Sequence, residues 1–402
     1  MNTRNLSLDP ILRYTETIVG QRFLEQQLRA GKKLRMYIGA DATGPHLHIG
    51  HATNLLLMRW FQEQGHELIF LVGDFTAQIG DPTDKAAVRK PLTPSEVREN
   101  MATFQRQVAQ VLEFSGSNPA RVLYNSAWLG SLKLDDFIRL SQRLTVQQMI
   151  ERDMFQERLR AGKPIGLHEF IYPLLQGYDS VAMDVDVEVG GSDQLFNMHV
   201  GRTLMKELKQ KEKVVITTKL LVNPKTGKKL MNKSEGGLIN LDDSPADMFG
   251  KVMALPDEAI VPVVELCTTF PMDEVRRIEK GLKAKTLHPR DAKFEAAKTV
   301  VMTYHGTTAA EQAASAFTRQ FKDKEVPTDV TERTPSVTGS EKLAFFLVDL
   351  GLASSKSEAM RLIEQGGVTV DGAKITDPLA VITPHDGMLI QVGKRRYVKV
   401  KL

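Results

Sequence analysis

Along the first 240 residues, hydrophobic and polar positions follow two alternating periods. Short apolar runs predict buried strands, and stretches with apolar residues three and four positions apart predict helices. The predicted strands lie at 34–40, 66–75, 120–129 and 213–223 and at the start of 185–194, and the predicted helices at 49–65 and 95–116, the latter with Ser95 as N-cap. Strands separated by helices are typical of a parallel sheet built from βαβ units, so the pattern predicts an α/β fold.

The pattern changes further along the chain. Residues 130–182 are mostly helical and interrupt the alternation, and residues 244–321 are helical throughout. The stretch 322–340 is polar, contains two prolines and is typical of a linker. The last segment, 341–402, begins with two amphipathic helical stretches and ends in short strands. We therefore predict an α/β core over 1–243 with a helical insertion, an α-helical domain, a linker and a small α+β domain.

Composition narrows the class of protein. The chain has 402 residues, of which 42% are hydrophobic and 25% charged, as in soluble globular proteins. The apolar runs are too short for a membrane helix, and the N-terminal residues lack the order of a signal peptide. A single cysteine, Cys267, excludes an intrachain disulfide framework and a Cys-rich zinc site. We expect a cytoplasmic protein that does not enter a membrane.

The net charge of +4 is unevenly distributed. The segment from Arg202 to Lys233 contains ten Lys and Arg residues but only two Glu. The last nine residues contain five basic residues and no acidic residue. Two basic clusters on a nearly neutral chain indicate a polyanionic partner. A solvated lysine-rich surface is the alternative for either cluster.

The loop after the first predicted parallel strand carries candidate chemistry. It contains His46, His48 and His51, and the last two lie three apart at a predicted helix start, so they share one face. A helix N-terminus with free N–H groups favours a phosphate, and imidazole N–H groups there can donate to its oxygens. Two other interpretations remain open: the histidines ligate zinc, or they only cap the helix and fill polar core positions.

A second candidate site lies on a helix with an otherwise apolar face. Tyr172, Gln176 and Asp179 are spaced i, i+4 and i+7, which places them on one side of that helix. A polar stripe among apolar residues indicates a pocket with placed donors and acceptors, although an exposed polar face has the same pattern. In the run 190–194, two glycines allow close backbone approach, and Asp193 suits a ribose hydroxyl.

These motifs together resemble a known family. His48-Ile49-Gly50-His51 resembles the HIGH motif of class I aminoacyl-tRNA synthetases. The preceding Tyr37, Gly39, Asp41 and Thr43, the Tyr172–Asp179 motif and Gly190-Gly191-Ser192-Asp193-Gln194 resemble the tyrosyl branch of that family. The family's second motif, KMSKS, is imperfect: Met231, Lys233 and Ser234 match, whereas Leu230 and Asn232 replace the first lysine and first serine. A shift by one residue would make Lys229 the missing lysine.

The resemblance implies roles for individual residues. For tyrosine, it implies that Tyr37 and Asp179 contact the phenol hydroxyl, and that the ammonium and carboxylate ends are held by Asp81, Tyr172, Gln176 and Gln194. It implies catalytic roles for His48, His51, Thr43 and Lys233. It implies that ATP is bound by Asp41, Gly50, Gly191, Asp193 and Lys233, with Lys85 and Arg89 near the departing pyrophosphate. It implies a Rossmann-like core, Mg²⁺ with ATP as the substrate complex, and no metal held by the protein itself.

The C-terminal 60 residues resemble a small RNA-binding domain shared with a ribosomal small-subunit protein. The match includes Leu352–Ala359, Gly366-Gly367-Val368 and Val370-Asp371-Gly372. Phosphate contacts are expected from Lys356, Arg361, Lys394, Arg395 and Arg396. A basic protein-docking module is the other interpretation.

The resemblance implies an enzyme that activates tyrosine with ATP and transfers it to tRNA(Tyr). The helical domain over 244–321 would bind the anticodon, and the insertion at about 130–182 would form a homodimer. Two rivals remain: a tryptophanyl relative, which should lack the Tyr37–Asp179 pair, and a non-catalytic RNA-binding paralogue, which the altered KMSKS motif favours.

Overall fold

A computed structural model describes residues 9–82, 92–231, 237–322, 330–393 and 396–402. The chain divides into two compact units, Met1–Phe317 and Thr318–Leu402. The strands of the first unit are β1 (Thr15–Val19), β2 (Arg35–Asp41), β3 (Glu67–Gly73), β4 (Arg121–Tyr124), β5 (Val187–Gly191) and β6 (Val214–Thr218). Its helices before β6 are α1 (Asp9–Tyr14), α2 (Gln21–Arg29), α3 (Ile49–Glu63), α4 (Pro94–Met101), α5 (Phe104–Val108), α6 (Ser126–Leu129), α7 (Leu134–Ser141), α8 (Val146–Ile150), α9 (Asp153–Arg160), α10 (Leu167–Met183) and α11 (Leu195–Lys209).

In the part of the chain that the structure describes, these six strands form one sheet in the order β1-β6-β5-β2-β3-β4. All neighbours are parallel except β1, which pairs antiparallel with β6 at the edge. The predicted parallel α/β core is confirmed, whereas the edge strand β1 was not expected. The strand order reverses at β2, which lies between β3 and β5, and this reversal opens a crevice at the carboxyl ends of the strands.

Both faces of the sheet are covered, which explains the continuous apolar runs in its strands. Met36 and Phe70 point into the main core on one face, while Tyr37 and Ile69 point into a smaller cluster on the other. Side chains that alternate between two buried faces leave no polar period in the sequence.

Two predicted elements are shorter in the structure. The run 120–129 is a strand only to Tyr124, because Asn125 leaves the ladder and its Oδ1 accepts the N–H of Phe75 (2.9 Å). The predicted helix 95–116 is divided into α4 and α5. Its N-cap is Thr93 rather than Ser95, with a capping box to Glu96 and Pro94 as the first helical residue.

After β6, the first unit is helical, as predicted. Its helices are α12 (Pro245–Met253), α13 (Ile260–Leu266), α14 (Met272–Lys283) and α15 (Pro289–Lys322), which runs into the second unit. The backbone of α15 is interrupted at Gly306, whose φ of 83° favours glycine. Buried residues of these helices, such as Phe249 and Val300, belong to the same core as the sheet. The domain boundary at 243/244 stays a prediction.

The second unit has its own core and a small sheet. It contains β7 (Glu332–Arg333), β8 (Glu341–Lys342), α16 (Leu343–Asp349), α17 (Lys356–Glu364), β9 (Val368–Val370), β10 (Ala373–Ile375), β11 (Val381–Ile382), β12 (Leu389–Val392) and β13 (Arg396–Val400). The larger sheet has the order β10-β9-β12-β13-β7. Strand β7 lies inside the predicted linker and pairs parallel with β13, so that part of the segment is structured.

Candidate active site

A cavity of about 400 Å³ lies at the carboxyl ends of β2 and β5. It is bordered by the loop after β2, the start of α3 and one face of α10. Every residue predicted for tyrosine, ATP or catalysis that the structure describes lines this cavity: Tyr37, Asp41, Thr43, His48, Gly50, His51, Asp81, Tyr172, Gln176, Asp179, Gly191, Asp193 and Gln194. Lys85, Arg89 and Lys233 lie outside the described residues.

The two histidines of the first motif cap α3. Nδ1 of His48 accepts the N–H of Gly50 (3.2 Å), and Nδ1 of His51 accepts the N–H of His48 (3.1 Å). Each neutral ring therefore carries its proton on Nε2, where it can donate to a phosphate oxygen. A Cβ on Gly50 would lie 2.9 Å from Nδ1 of His48, so glycine is needed for this approach. The capping contacts considered from the sequence are present and fix both rings at the cavity wall.

The zinc interpretation of this loop finds no support in the geometry. Nδ1 of His46 lies 3.0 Å from Asp242. Within the described residues, no group of three or more His, Cys, Asp or Glu side chains is placed to hold a metal ion.

Asp41 connects three parts of the cavity wall. Its carboxylate accepts hydrogen bonds from Oγ1 of Thr76 (2.7 Å) and from the hydroxyl of Tyr172 (2.9 Å). Burial raises the pKa of Tyr172 well above its usual value, and the neighbouring Asp41 charge adds to the rise. Tyr172 is thus a neutral donor at neutral pH.

Asp81 lies at the same wall, between two elements. Its Oδ2 accepts from Nε2 of Gln194 (2.6 Å), and its Oδ1 from Nη2 of Arg152 (3.2 Å). Sequence reasoning missed Arg152, which is buried above the rings of Phe155 and Phe196. The Asp81 carboxylate is therefore held in place from both sides.

The predicted phenol-contacting pair also lines the cavity. Asp179 accepts from Nε1 of Trp128 (2.7 Å) and from Nδ2 of Asn125 (3.2 Å), one bond to each carboxylate oxygen. Burial raises the pKa of Asp179 well above its usual value, and these two hydrogen bonds oppose the rise. Tyr37 is almost fully buried, and its hydroxyl lies 3.0 Å from Oγ of Ser180.

Gln176 is held by polar residues that the motifs did not include. Its Nε2 donates to Glu188 (3.1 Å), and its Oε1 accepts from Nδ2 of Asn197 (2.9 Å). Glu188 in turn forms a buried ion pair with Lys213. Residues 185–189 alternate valine with acidic residues, and the second of these, Glu188, was the sequence signal for this network.

The nucleotide end contains an ion pair. Nζ of Lys229 donates to Oδ2 of Asp193 (2.9 Å), and a Cβ on Gly191 would lie 2.6 Å from Oδ1 of the same aspartate. Leu230 packs against the main core, and Lys229 lines the cavity. Lys229 therefore lies beside Asp193, the carboxylate predicted to bind the ribose of ATP. That Lys229 replaces the first lysine of KMSKS stays a prediction.

In the second unit, the described basic residues lie at the surface. Lys356 begins α17, with its ammonium 5.9 Å from the centre of the Phe345 ring, and Arg361 follows on the same helix. Arg396 donates to the carbonyl of Leu352 (2.7 Å). Lys394 and Arg395 lie outside the described residues.

Comparison with known families agrees with both units. Residues 29–322 match the model of class I tRNA synthetases of the tryptophanyl and tyrosyl type, and residues 341–386 match the S4 domain. The chain therefore belongs to the class I tRNA synthetases of this type. Within that class, its relatives place it in the family of tyrosine–tRNA ligases with a C-terminal S4 domain.

Two such relatives are tyrosine–tRNA ligases. The one from Moorella thermoacetica is 42% identical over 94% of this chain and 91% of its own length. The one from Methylococcus capsulatus is 41% identical over 98% of each chain. The family and the reaction predicted from the motifs are confirmed.

Solved structures give the same fold. A truncated mitochondrial tyrosyl-tRNA synthetase from Coccidioides posadasii is 26% identical, with a TM-score of 0.61 over 77% of this chain and 90% of that one. A tryptophanyl-tRNA synthetase from Encephalitozoon cuniculi has a TM-score of 0.56 over 76% of this chain and 86% of that one, at 12% identity, which shows a shared fold alone. Across the described residues, no helix is both long and apolar enough to cross a membrane.

Proposed function

We propose that the cavity holds tyrosine and ATP so that the tyrosine carboxylate attacks the α-phosphate of ATP. Pyrophosphate leaves, and tyrosyl-adenylate remains. The terminal ribose hydroxyl of tRNA(Tyr) then attacks the tyrosyl carbonyl, and AMP leaves. The observation that carries this proposal is the common cavity, which joins the histidine loop, the Asp193 loop and the Tyr37–Asp179 end. ATP enters as its Mg²⁺ complex, a substrate rather than a resident cofactor.

Catalysis in this proposal depends on position and charge, without a protein nucleophile. His48 and His51 donate from Nε2 to phosphate oxygens as negative charge grows on them. Asp193 exchanges its contact with Lys229 for the ribose hydroxyls, which is a small change because both side chains are about half exposed. Lys233, by its position in the motif, neutralises the phosphates.

Tyrosine is selected at the deep end of the cavity. Trp128 and Asn125 occupy one acceptor position on each oxygen of Asp179 and orient the carboxylate. The remaining acceptor positions can take the phenol proton. Phenylalanine would leave these buried polar groups without a partner, which is costly. Tyrosyl-tRNA synthetases are themselves the standard example of an enzyme that rejects a substrate analogue lacking one hydroxyl in this way.

The test of this assignment is Asp179→Ala. We expect tyrosine-dependent ATP–pyrophosphate exchange to fall far more than the affinity for ATP, because the substitution removes the phenol acceptor and its two hydrogen bonds to Trp128 and Asn125 but leaves the ATP-binding loops unchanged. Exchange assayed with each amino acid in turn identifies the substrate. Unchanged tyrosine-dependent exchange in Asp179→Ala would remove Asp179 from the site.

We also propose a homodimer formed through the helical insertion. Large apolar side chains are exposed on its helices, including Leu134 (71%), Val146 (65%) and Leu167 (78%). Several large exposed apolar side chains on one helical insertion are typical of a protein–protein surface. A cytoplasmic location stays a prediction from the sequence.

Sedimentation equilibrium tests the dimer. Leu134 and Ile138 lie one turn apart on α7, so Leu134→Glu with Ile138→Glu should give a monomer. Leu379→Glu, which changes an equally exposed apolar residue (58%) in the second unit, should remain dimeric. A parent protein that sediments as a monomer at micromolar concentration contradicts the proposal.

A further inference from the structure

Behind the phenol end of the cavity lies a buried ion pair between Lys213 and Glu188. The exposed fractions of the two side chains are 0% and 3%. Lys213 precedes β6 and Glu188 lies in β5, so the pair joins two neighbouring strands. Glu188 borders the cavity, whereas Lys213 lies one layer behind it. Desolvation makes a buried ion pair costly, so stability alone does not account for this pair.

All three N–H donors of the Lys213 ammonium have acceptors. They are Oγ of Ser180 (2.7 Å), the carbonyl of Met198 (3.3 Å) and the carboxylate of Glu188. The position is tightly enclosed, since a Cβ on Gly201 would lie 2.4 Å from Nζ. An ammonium donates and never accepts. Oγ of Ser180 must therefore accept from Lys213, which leaves the serine proton for another partner.

That proton has two acceptors within reach. The hydroxyl oxygen of Tyr37 lies 3.0 Å from Oγ of Ser180, and a carboxylate oxygen of Glu188 lies 3.4 Å away. The shorter contact favours Tyr37. Burial raises the pKa of Tyr37 well above its usual value, with Glu188 and Asp179 adding to the rise, so Tyr37 keeps its own proton.

We propose that Lys213 is a positioning residue that sets the direction of a hydrogen-bond relay through Ser180 and Tyr37 to the substrate. Lys213 donates to Ser180, Ser180 donates to Tyr37, and Tyr37 donates to the phenol oxygen of tyrosine. The phenol proton then points to Asp179. This inference rests on the proposed tyrosine site and extends it, because it explains why Tyr37 acts as a donor there.

Lys213 also restrains the competing acceptor. Its ammonium engages one oxygen of Glu188, while the other oxygen accepts from Gln176 (3.1 Å). Without Lys213, Oγ of Ser180 could accept from Tyr37, and the charge of Glu188 would attract the same hydroxyl proton. Tyr37 would then turn away from the substrate, and phenylalanine would no longer leave a donor without a partner. Chains of aligned hydrogen bonds strengthen one another, so loss of the first donor affects the last bond.

The test compares tyrosine with phenylalanine in ATP–pyrophosphate exchange. Ser180→Ala removes only the relay oxygen, and Lys213→Met with Glu188→Gln removes both charges together. In each, we expect the ratio of kcat/KM for tyrosine to that for phenylalanine to fall about fivefold, the value of one net hydrogen bond. The KM for ATP should stay constant. Lys211→Met is the control, because Lys211 pairs with Asp186 outside the cavity, and its ratio should equal that of the parent.

The ratio separates positioning from stability. A purely structural role would lower both activities together and leave the ratio unchanged. The relay would be overturned if both Ser180→Ala and the double variant kept the parent ratio. If the double variant does not fold, the ratio measured for Ser180→Ala alone decides. A parent without tyrosine-dependent exchange, or an Asp179→Ala variant that keeps it, would instead overturn the proposed tyrosine site.

Discussion

At the scale of single residues, the cavity depends on a glycine that leaves room for a neighbouring carboxylate. Gly73 ends β3 beside Asp41, the last residue of β2. A Cβ on Gly73 would lie 2.1 Å from a carboxylate oxygen of Asp41 and 2.5 Å from Oγ1 of Thr76. The carboxylate can therefore reach Thr76 and Tyr172 only because this position is glycine.

We predict that Gly73→Ala displaces Asp41 and breaks both contacts. Hydrogen bonds to a charged group contribute about 1.5–3 kcal/mol each, so kcat/KM for tyrosine activation should fall at least about tenfold. Steady-state exchange kinetics measure this. Gly250→Ala is the matched control: it lies inside α12 with no heavy atom within 4 Å of the added Cβ, and its activity should not change. Parent-like kinetics in Gly73→Ala would show that Asp41 is not needed where it lies.

Sequence reasoning found the site residues that share a short spacing and missed those that converge from distant segments. Tyr172, Gln176 and Asp179 are visible because one helix face contains them. Lys213 and Ser180 are 33 positions apart and meet only after α10, α11 and β6 have packed. A buried lysine beside an apolar run has the same local pattern as a strand with a solvated end, so the sequence alone could not distinguish the two.

At the scale of elements, α10 carries three of the residues proposed to bind tyrosine and packs closely on α11. Gly177 in α10 makes this approach possible, since a Cβ there would lie 2.8 Å from Cγ1 of Val200 and 3.0 Å from the backbone nitrogen of Gly201. Backbone cannot move aside as a side chain can. The position of Gln176 and Asp179, on either side of Gly177, is therefore set by the contact between two helices.

Gly177→Ala should thus separate α10 from α11. We expect a loss of about 1–3 kcal/mol in the free energy of unfolding, the usual cost of overpacking, together with a higher KM for tyrosine. Urea unfolding and exchange kinetics measure the two effects. Ala182→Gly, at an exposed position of the same helix, should lower stability by about 0.5–1 kcal/mol while the KM stays constant. Equal KM values in both variants would mean that helix spacing does not control the site.

The sequence predicted the strands correctly where the apolar pattern was strong. It failed where a side-chain hydrogen bond to a distant residue ends the strand. The apolar runs for β2, β3 and β6 gave strands within one to five residues of their bounds. The run 120–129 contains Asn125, whose side chain bonds to Phe75 and Asp179 and turns the chain into α6. Such a turn depends on tertiary partners, which no local pattern contains.

At the scale of the whole molecule, each unit has an independent hydrophobic core. The core of the first unit includes both sheet residues such as Phe70 and helical residues such as Phe249. The core of the second unit is formed by residues between Leu343 and Val400. Units with separate cores can fold alone. The sequence correctly indicated a small C-terminal module, but β7 shows that part of the expected linker belongs to that module's sheet.

This organisation predicts the result of removing the second unit. A chain ending at Lys322 retains all of α15 and the complete cavity, whereas a cut after Thr334 would leave β7 without β13. Adenylate formation should therefore continue at close to the parent rate, while tRNA charging falls, because the phosphate contacts expected from Lys356 and Arg361 are lost. The full-length variant Lys356→Glu with Arg361→Glu serves as the control, since it keeps the unit but reverses its charge. Charging of tRNA by this variant should fall with rising salt less steeply than charging by the parent, because binding of tRNA releases fewer counterions. Equal loss of adenylate formation and charging on truncation would instead mean that the second unit supports the catalytic fold.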